Sequence, residues 1–309
     1  MKFFKNMATW KKVILSFTLL AILFIGGSFI YLNYLLNKPT KVTINKNNLS
    51  VNTEISKNLD TKKEIKNIAL FGIDAPEGKN GRSDSIMILT IDKKNNELKL
   101  SSIMRDSYLD IKGYGKDKVN HAYAFGGPEL AINTLNRNLN LNIENFITVN
   151  FTTLPTIIDE LNGIELNITK GDLKYLGSSI TKTGLQNLNG DEALAYSRIR
   201  YDGGDQMRTQ RQRNVIDAIF KKVIAIPVSN YPSILNELLP FVKTNLSSSE
   251  FMAIGKDIAF MKISKIKQYR LPCNTHSKGK NINGVYYMTF DTNIEKKELH
   301  DFIYNKNSK

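Results

Sequence analysis

Ile65-Lys66-Asn67-Ile68-Ala69-Leu70-Phe71-Gly72-Ile73-Asp74 is apolar at most positions and stops on an acid. A run this short and apolar reads as a buried strand. The surrounding chain repeats the pattern. Residues 85–91 predict a second strand, 92–96 a polar turn, and 98–104 a third strand ending at Arg105. Further on, a short helix over 119–125 meets Gly126-Gly127, and Pro128 opens a helix to about residue 139. Residues 146–150 predict a strand, 153–161 a helix closed by Asn162-Gly163, and 164–168 another strand. Asn189 caps a helix over 190–199, and 208–225 form a longer one. Ser247 with Glu250 makes a capping box for a helix reaching about residue 261. A late strand covers 263–271, and Thr292-Asn293-Ile294-Glu295 reads as a second capping box opening the final helix. Strands and helices alternate throughout, which predicts a layered α/β domain.

Ahead of that domain lies residues 13–36, which carry no charge and are almost wholly apolar. At 1.5 Å per residue such a helix reaches about 36 Å, enough for a hydrocarbon layer roughly 30 Å thick. Lys2, Lys5, Lys11 and Lys12 precede it, and Trp10, Tyr31 and Tyr34 sit near its ends. The expectation is a single transmembrane helix with residues 1–12 in the cytoplasm and the rest outside the cell. No small-x-small cleavage site follows the span, so it reads as a retained anchor rather than a signal peptide. Residues 37–64 are polar and read as an extracellular linker, leaving 65–309 as the catalytic domain.

The formal charge is +14, of which +10 falls on residues 37–309. A basic external domain attracts anions such as phosphorylated polymers or lipid head groups. Nucleic acid is not expected, because the domain lies outside and shows no DNA-binding motif. The single cysteine, Cys273, excludes an intrachain disulfide and reads as a small core or edge residue. There is no G-x-S-x-G elbow, H-E-x-x-H or P-loop, and His121, His276 and His300 show no metal-ligand spacing.

The charged residues cluster at segment ends. Asp74 closes one strand, and Arg82-Ser83-Asp84 open the next after a short Pro/Gly-rich loop. Two carboxylates brought together repel unless a cation lies between them, and Mg²⁺ takes such pairs along with phosphate oxygens. Arg105, then Arg198 and Arg200, then Arg208 and Arg211 supply planar forks that fit phosphate. Arg208 and Arg211 share a helix face, and Gln212 lies beside Arg208 at i+4, whereas Arg213 points elsewhere and is expected at the surface or in a salt bridge. Together these residues suggest a site for a divalent metal and a polyanion such as pyrophosphate.

Several runs also match a known pattern in order: Phe71-Gly72-Ile73-Asp74, Gly81-Arg82-Ser83-Asp84-Ser85, Ser102-Ile103-Met104-Arg105-Asp106, Lys118-Val119-Asn120-His121-Ala122-Tyr123, Leu188 to Leu194, and Tyr196 to Arg200 on to Arg213. In these the chain resembles the LytR-CpsA-Psr family of Gram-positive cell-envelope proteins. The resemblance implies a three-layer α/β/α sandwich with a central mixed sheet and an apolar pocket for a polyprenyl phosphate. It implies transfer of an anionic glycopolymer, teichoic acid or capsular polysaccharide, from a polyprenyl-pyrophosphate carrier to peptidoglycan. A pyrophosphatase or a lipid-phosphate-binding module acting on the same donor is the alternative. Carried onto this chain, Asp74 and Asp84 would hold Mg²⁺ or Mn²⁺. Arg82, Arg105, Arg198, Arg200, Arg208 and Arg211 would grip the pyrophosphate with help from Gln212. Asp84, Arg105, Arg200 and Arg208 would carry the chemistry. Many relatives have Arg shortly after the first motif aspartate, where Ala75-Pro76 stands here.

Overall fold

In the computed structural model the described residues are 30–52, 54, 64–75, 81–177, 180–201, 204–227, 230–261 and 266–304. The expected cytoplasmic N-terminus and most of the expected membrane span, residues 1–29, lie outside them. Among the described residues no helix is long and apolar enough to cross a membrane.

The strands are β1 (Thr40–Lys41), β2 (Ile65–Asp74), β3 (Arg82–Asp92), β4 (Glu97–Ile103), β5 (Tyr108–Ile111), β6 (Gly115–Lys118), β7 (Asn145–Asn150), β8 (Ile164–Ile168), β9 (Gly184–Leu188), β10 (Val242–Thr244), β11 (Ile266–Leu271), β12 (Ser277–Ile282) and β13 (Val285–Phe290). Seven of them form one mixed sheet in the order β1-β10-β7-β2-β3-β4-β11. The apolar run of β2 is central, as its composition demands, since both of its faces are covered. The remaining strands form three hairpins, β5-β6, β8-β9 and β12-β13.

Helices cover both faces. They are α1 (Val119–Leu139), α2 (Leu154–Glu160), α3 (Gly190–Arg198), α4 (Gly204–Ala225), α5 (Tyr231–Leu238), α6 (Ser248–Phe260) and α7 (Thr292–Tyr304). On one face Ala69, Phe71, Ile86 and Ile88 pack with Ala122, Ile132 and Leu135 of α1 and with Leu299 and Ile303 of α7. On the other, Ile68, Met87, Leu98 and Leu100 meet Ile216 of α4 and Ile254 and Ile258 of α6. A satellite core joins α2, α3, α4 and the β8-β9 hairpin around Ile158, Ile164, Tyr196 and Val215.

Several expectations change. Residues 37–52 are not a free linker. Thr40 and Lys41 pair in parallel with Lys243 and Thr244, and Leu49 is fully buried beneath α1. The few apolar residues in this polar stretch are the ones that dock, and Asn136 and Asn133 receive its turn by donating to the carbonyls of Leu49 and Asn48. The second strand begins at Arg82 rather than 85, because the short loop lets the ladder run into the polar residues. The final helix is capped by Asp291, not by Thr292: its Oδ1 accepts from the amides of Asn293 at 2.8 Å and Ile294 at 3.3 Å. Glu295 is thereby turned inward, where its side chain is fully buried. At Asn189 and Ser247 the expected caps form, the former with Glu192 and the latter with Glu250. Gly126 and Gly127 break the α1 geometry as their sequence suggests.

Candidate active site

β2, β4, β7 and β11 run parallel to one another, so their carboxyl ends share one edge of the sheet. In open α/β sheets this is where ligands bind. Asp74 ends β2 and is the cross-strand partner of Arg82, which begins β3, and both are exposed. Gly72 pairs with Ser85 while Ile73 pairs with Ser83, so Asp84 is the extra residue of a β-bulge. A bulge re-aims a side chain at the end of a ladder.

Asp84 lies on the α1 side of the sheet, the side that Ile86 and Ile88 share. Its Oδ1 accepts from Arg105 Nη1 at 3.0 Å and from Asn120 Nδ2 at 3.3 Å. Arg105 Nε lies 3.7 Å from Asp106 Oδ2, and Lys118 Nζ lies 2.7 Å from Asp106 Oδ1. Acids and bases thus alternate along the edge. The Arg105 side chain is 19 % exposed, low enough to hold it in place and high enough for a ligand to reach it. Asp106, Lys118 and Asn120 were given no role from sequence, although all three fall in runs that carry the family pattern.

The other arginines separate. Arg198 ends α3 and Arg200 follows two residues later, both exposed. Between them Ile199 is buried and extended, so both arginines project to the solvent side of the segment. Arg208 and Arg211 on α4 are each 3 % exposed. Arg211 is committed to Asp172: its Nε and Nη2 lie 3.0 and 2.9 Å from Asp172 Oδ1, and its guanidinium stacks 5.1 Å from the Tyr201 ring. The structure therefore brings Arg211 to the loop before β9. Arg213 is not at the surface either. It is 5 % exposed, donates to the Tyr269 carbonyl at 2.9 Å and to Gln210, and burial pushes its pKa down to about 10.

Beside this charged edge is an apolar cavity of about 120 Å³ between the sheet and α4. Leu70, Met87, Ile147, Val149, Phe151 and Val215 line it, and Ser197 and Gln212 supply polar groups. Gly72 and Ser85 form part of its wall, two residues from Asp74 and one from Asp84, so the cavity ends close to the charged edge along β2 and β3. Gly72 is required there: an added Cβ would stand 2.9 Å from Phe151 Cζ and 3.0 Å from Ser85 Cβ.

For a divalent cation the donor chemistry fits. Asp74 and Asp84 are hard oxygen donors at the same edge, and Arg105 and Asn120 both meet Asp84 at one oxygen, Oδ1. By strand alternation Asp74 shares a face with Leu70 and Gly72, whereas Asp84 meets α1, so the two acids flank the rim of the sheet.

Comparison with known proteins is consistent with this arrangement. The LytR_cpsA_psr family matches residues 31–302. The Regulatory protein MsrR of Staphylococcus aureus (strain COL) is 36 % identical over 241 residues, covering 76 % of this chain and 73 % of that protein. The polyisoprenyl-teichoic acid–peptidoglycan teichoic acid transferase TagU of Bacillus licheniformis is 34 % identical over 290 residues, covering 91 % of this chain and 92 % of the relative. Among solved structures, the LytR-CPS2A-psr family protein YwtF (TagT) with bound octaprenyl pyrophosphate lipid superposes with a TM-score of 0.62 at 27 % identity, covering 78 % of this chain and 91 % of that one.

Proposed function

The chain belongs to the LytR-CpsA-Psr family, and from that premise we propose that it transfers an anionic glycopolymer from a polyprenyl-pyrophosphate carrier to peptidoglycan. The observation that carries this reading is the closeness of an apolar cavity to a cationic sheet edge. The substrate has the same two-part character, a hydrocarbon tail joined to a pyrophosphate. The tail takes the cavity between the sheet and α4, with Gln212 and Ser197 at its polar wall. The pyrophosphate lies against Arg105, with Arg82, Arg198, Arg200 and Arg208 as the further cations.

In the reaction a peptidoglycan hydroxyl oxygen bonds to the sugar-side phosphorus. The bond from that phosphorus to the bridging oxygen breaks, and polyprenyl phosphate leaves with the electron pair. The hydroxyl proton goes to a carboxylate, for which Asp84 and Asp74 are the groups at hand. Arg105 stabilises charge as it grows on the leaving phosphate, a role best filled by a donor already held in position. Asp84 and Asp106 hold it. Asp74 and Asp84 would hold Mg²⁺ or Mn²⁺, which when bound withdraws charge from the pyrophosphate.

We also propose that residues 13–36 anchor the protein, with the domain outside the cell. The described end of that segment supports this: Ile30, Tyr31 and Tyr34 lie on one side of a helical turn and are 71, 48 and 60 % exposed.

The test uses the full chain in detergent with Mg²⁺, a polyprenyl-pyrophosphate glycan and peptidoglycan oligomers. Covalent glycan–peptidoglycan product is expected. Release of glycan phosphate to water, with no product on peptidoglycan, would make the protein a pyrophosphatase. Donor binding without turnover would make it a lipid-phosphate-binding module.

A further inference from the structure

A second cluster of ligating side chains lies apart from the residues assigned above. Cys273 follows β11, His276 sits three residues on, and Glu295 and Glu298 occupy the same face of the first turns of α7. Each offers one ligating atom, and these four atoms all lie within 4.8 Å of one another. Cys273 Sγ is 3.3 Å from His276 Nδ1, and that nitrogen is 3.4 Å from Glu298 Oε1 and 3.9 Å from Glu295 Oε1. We propose that Cys273, His276, Glu295 and Glu298 form a tetrahedral zinc site.

Geometry supports a metal over a chance contact. Zinc bonds of about 2.0–2.3 Å at tetrahedral angles put neighbouring ligand atoms roughly 3.3–3.8 Å apart. Two of the three separations to His276, those to Cys273 at 3.3 Å and to Glu298 at 3.4 Å, match these edges, and the third, to Glu295, is 3.9 Å. The carboxylates are also pre-aimed. Tyr269 Oη donates toward Glu295 Oε2 at 3.4 Å and Glu298 Oε2 at 3.2 Å. Their Oε1 atoms are left turned toward the imidazole, and the Cys273 amide steadies Glu295 Oε1 at 2.9 Å. Hydrogen bonds that orient ligands in this way are the usual surroundings of a metal.

Charge points the same way. Two glutamates meet on one tyrosine, and the Glu295 side chain is fully buried, so their repulsion needs a cation or a proton. A thiolate and two carboxylates carry three negative charges. Zn²⁺ offsets two, and Arg270, whose charge is felt by Cys273 and Glu295, offsets the third. The set of one sulfur, one nitrogen and two oxygens suits zinc and excludes Mg²⁺, which takes oxygen ligands. The pairing Cys-x-x-His with Glu-x-x-Glu was invisible in sequence because its halves are twenty residues apart and Glu295 read as a helix cap.

With four protein ligands the site is closed, hence structural. It would tie the end of β11 to α7 and to the base of the β12-β13 hairpin. That hairpin abuts the candidate active site: the Met288 amide donates to the Asp106 carbonyl at 2.8 Å, and Lys118 Nζ lies 5.8 Å from the Tyr287 ring centroid.

The test strips the full chain in detergent with chelator under reducing conditions. Zn²⁺ alone is then titrated by calorimetry in excess Mg²⁺, and Co²⁺ by absorption. We expect one Zn²⁺ per chain with a dissociation constant of about 1 μM or tighter. Co²⁺ should give a thiolate-to-metal charge-transfer band, which only Cys273 can supply because it is the sole cysteine. Cys273→Ser should abolish the band, and Glu298→Gln, at a half-exposed position, should weaken Zn²⁺ at least tenfold while keeping it. Absence of saturable Zn²⁺ binding, absence of the band, or Zn²⁺ affinity unchanged in both variants would overturn the proposal.

Discussion

Arg105 Nη1 meets Asp84 Oδ1 at 3.0 Å, at the point where a β-bulge makes Asp84 the extra residue of β3. In a regular ladder Asp84 would have paired across β2. The bulge leaves it without a cross-strand partner, on the face of β3 that Ile86 and Ile88 turn toward α1, beside the arginine that follows β4. Two residues that hold each other act as a unit, so their losses should not add. Arg105→Ala should lower glycan transfer about a hundredfold, near 3 kcal/mol of transition-state stabilisation. Asp84→Asn should lower it by a similar order, and the double variant little further. Turnover of the lipid-linked donor measures this, and losses that multiply would show that the two act separately.

Gly72→Val should close the apolar cavity. Its new Cβ would displace Phe151, whose ring forms the wall. Binding of polyprenyl phosphate should fall at least tenfold, while the charged edge stays in place. Unchanged lipid affinity with an intact melting transition would remove this cavity from the reading.

Arg213 and Arg200 should behave oppositely. Arg213 is buried and bonded to the Tyr269 carbonyl, so Arg213→Ala leaves that carbonyl unsatisfied, at a stability cost of about 1–3 kcal/mol. Transfer per folded molecule should be retained. Arg200 is exposed, so Arg200→Ala should leave melting unchanged and lower transfer about a hundredfold. Denaturant melts read alongside turnover separate the two, and the reverse pattern would exchange their roles.

Lys99 and Asp92 form an ion pair at 2.9 Å with both side chains fully buried, and Lys99 also donates to the Ile303 carbonyl at 2.9 Å. Lys99→Met would leave a carboxylate buried without its charge partner. A loss of about 3–5 kcal/mol is expected in urea unfolding. A loss below about 1 kcal/mol would mean that Asn95, which also donates to Asp92, suffices to hold it.

The layered fold was legible because β2, β3 and β4 are apolar beyond what one covered face requires, and because Asn189 and Ser247 carry complete capping boxes. Hairpins such as β5-β6 and β12-β13 were missed, since Tyr108 to Lys118 and Ser277 to Phe290 alternate weakly and are anchored by tertiary contact. Within the site, Asp84 and Arg105 were legible as charges at segment ends. What sequence could not show was burial. Arg211 and Arg213 look alike beside Arg208 until Asp172 and Tyr269 arrive from distant segments to claim them. The bulge at Asp84 was equally hidden, because it depends on the register of two strands rather than on either one.

The pairing of Thr40 and Lys41 with β10 bears on where the enzyme can work. Lys41 Nζ reaches the Leu246 carbonyl at 2.6 Å, and Ser248 Oγ donates to Asn37 Oδ1 at 3.0 Å, so the chain is fastened within a few residues of the expected anchor. A flexible tether of the length once expected would let the domain roam by roughly 30 Å. If residues 13–36 anchor it as proposed, a domain fastened in this way would stand at a set height and tilt above the bilayer. Its lipid carrier would then come to it by lateral diffusion, and only peptidoglycan strands at that height would fall within its working range.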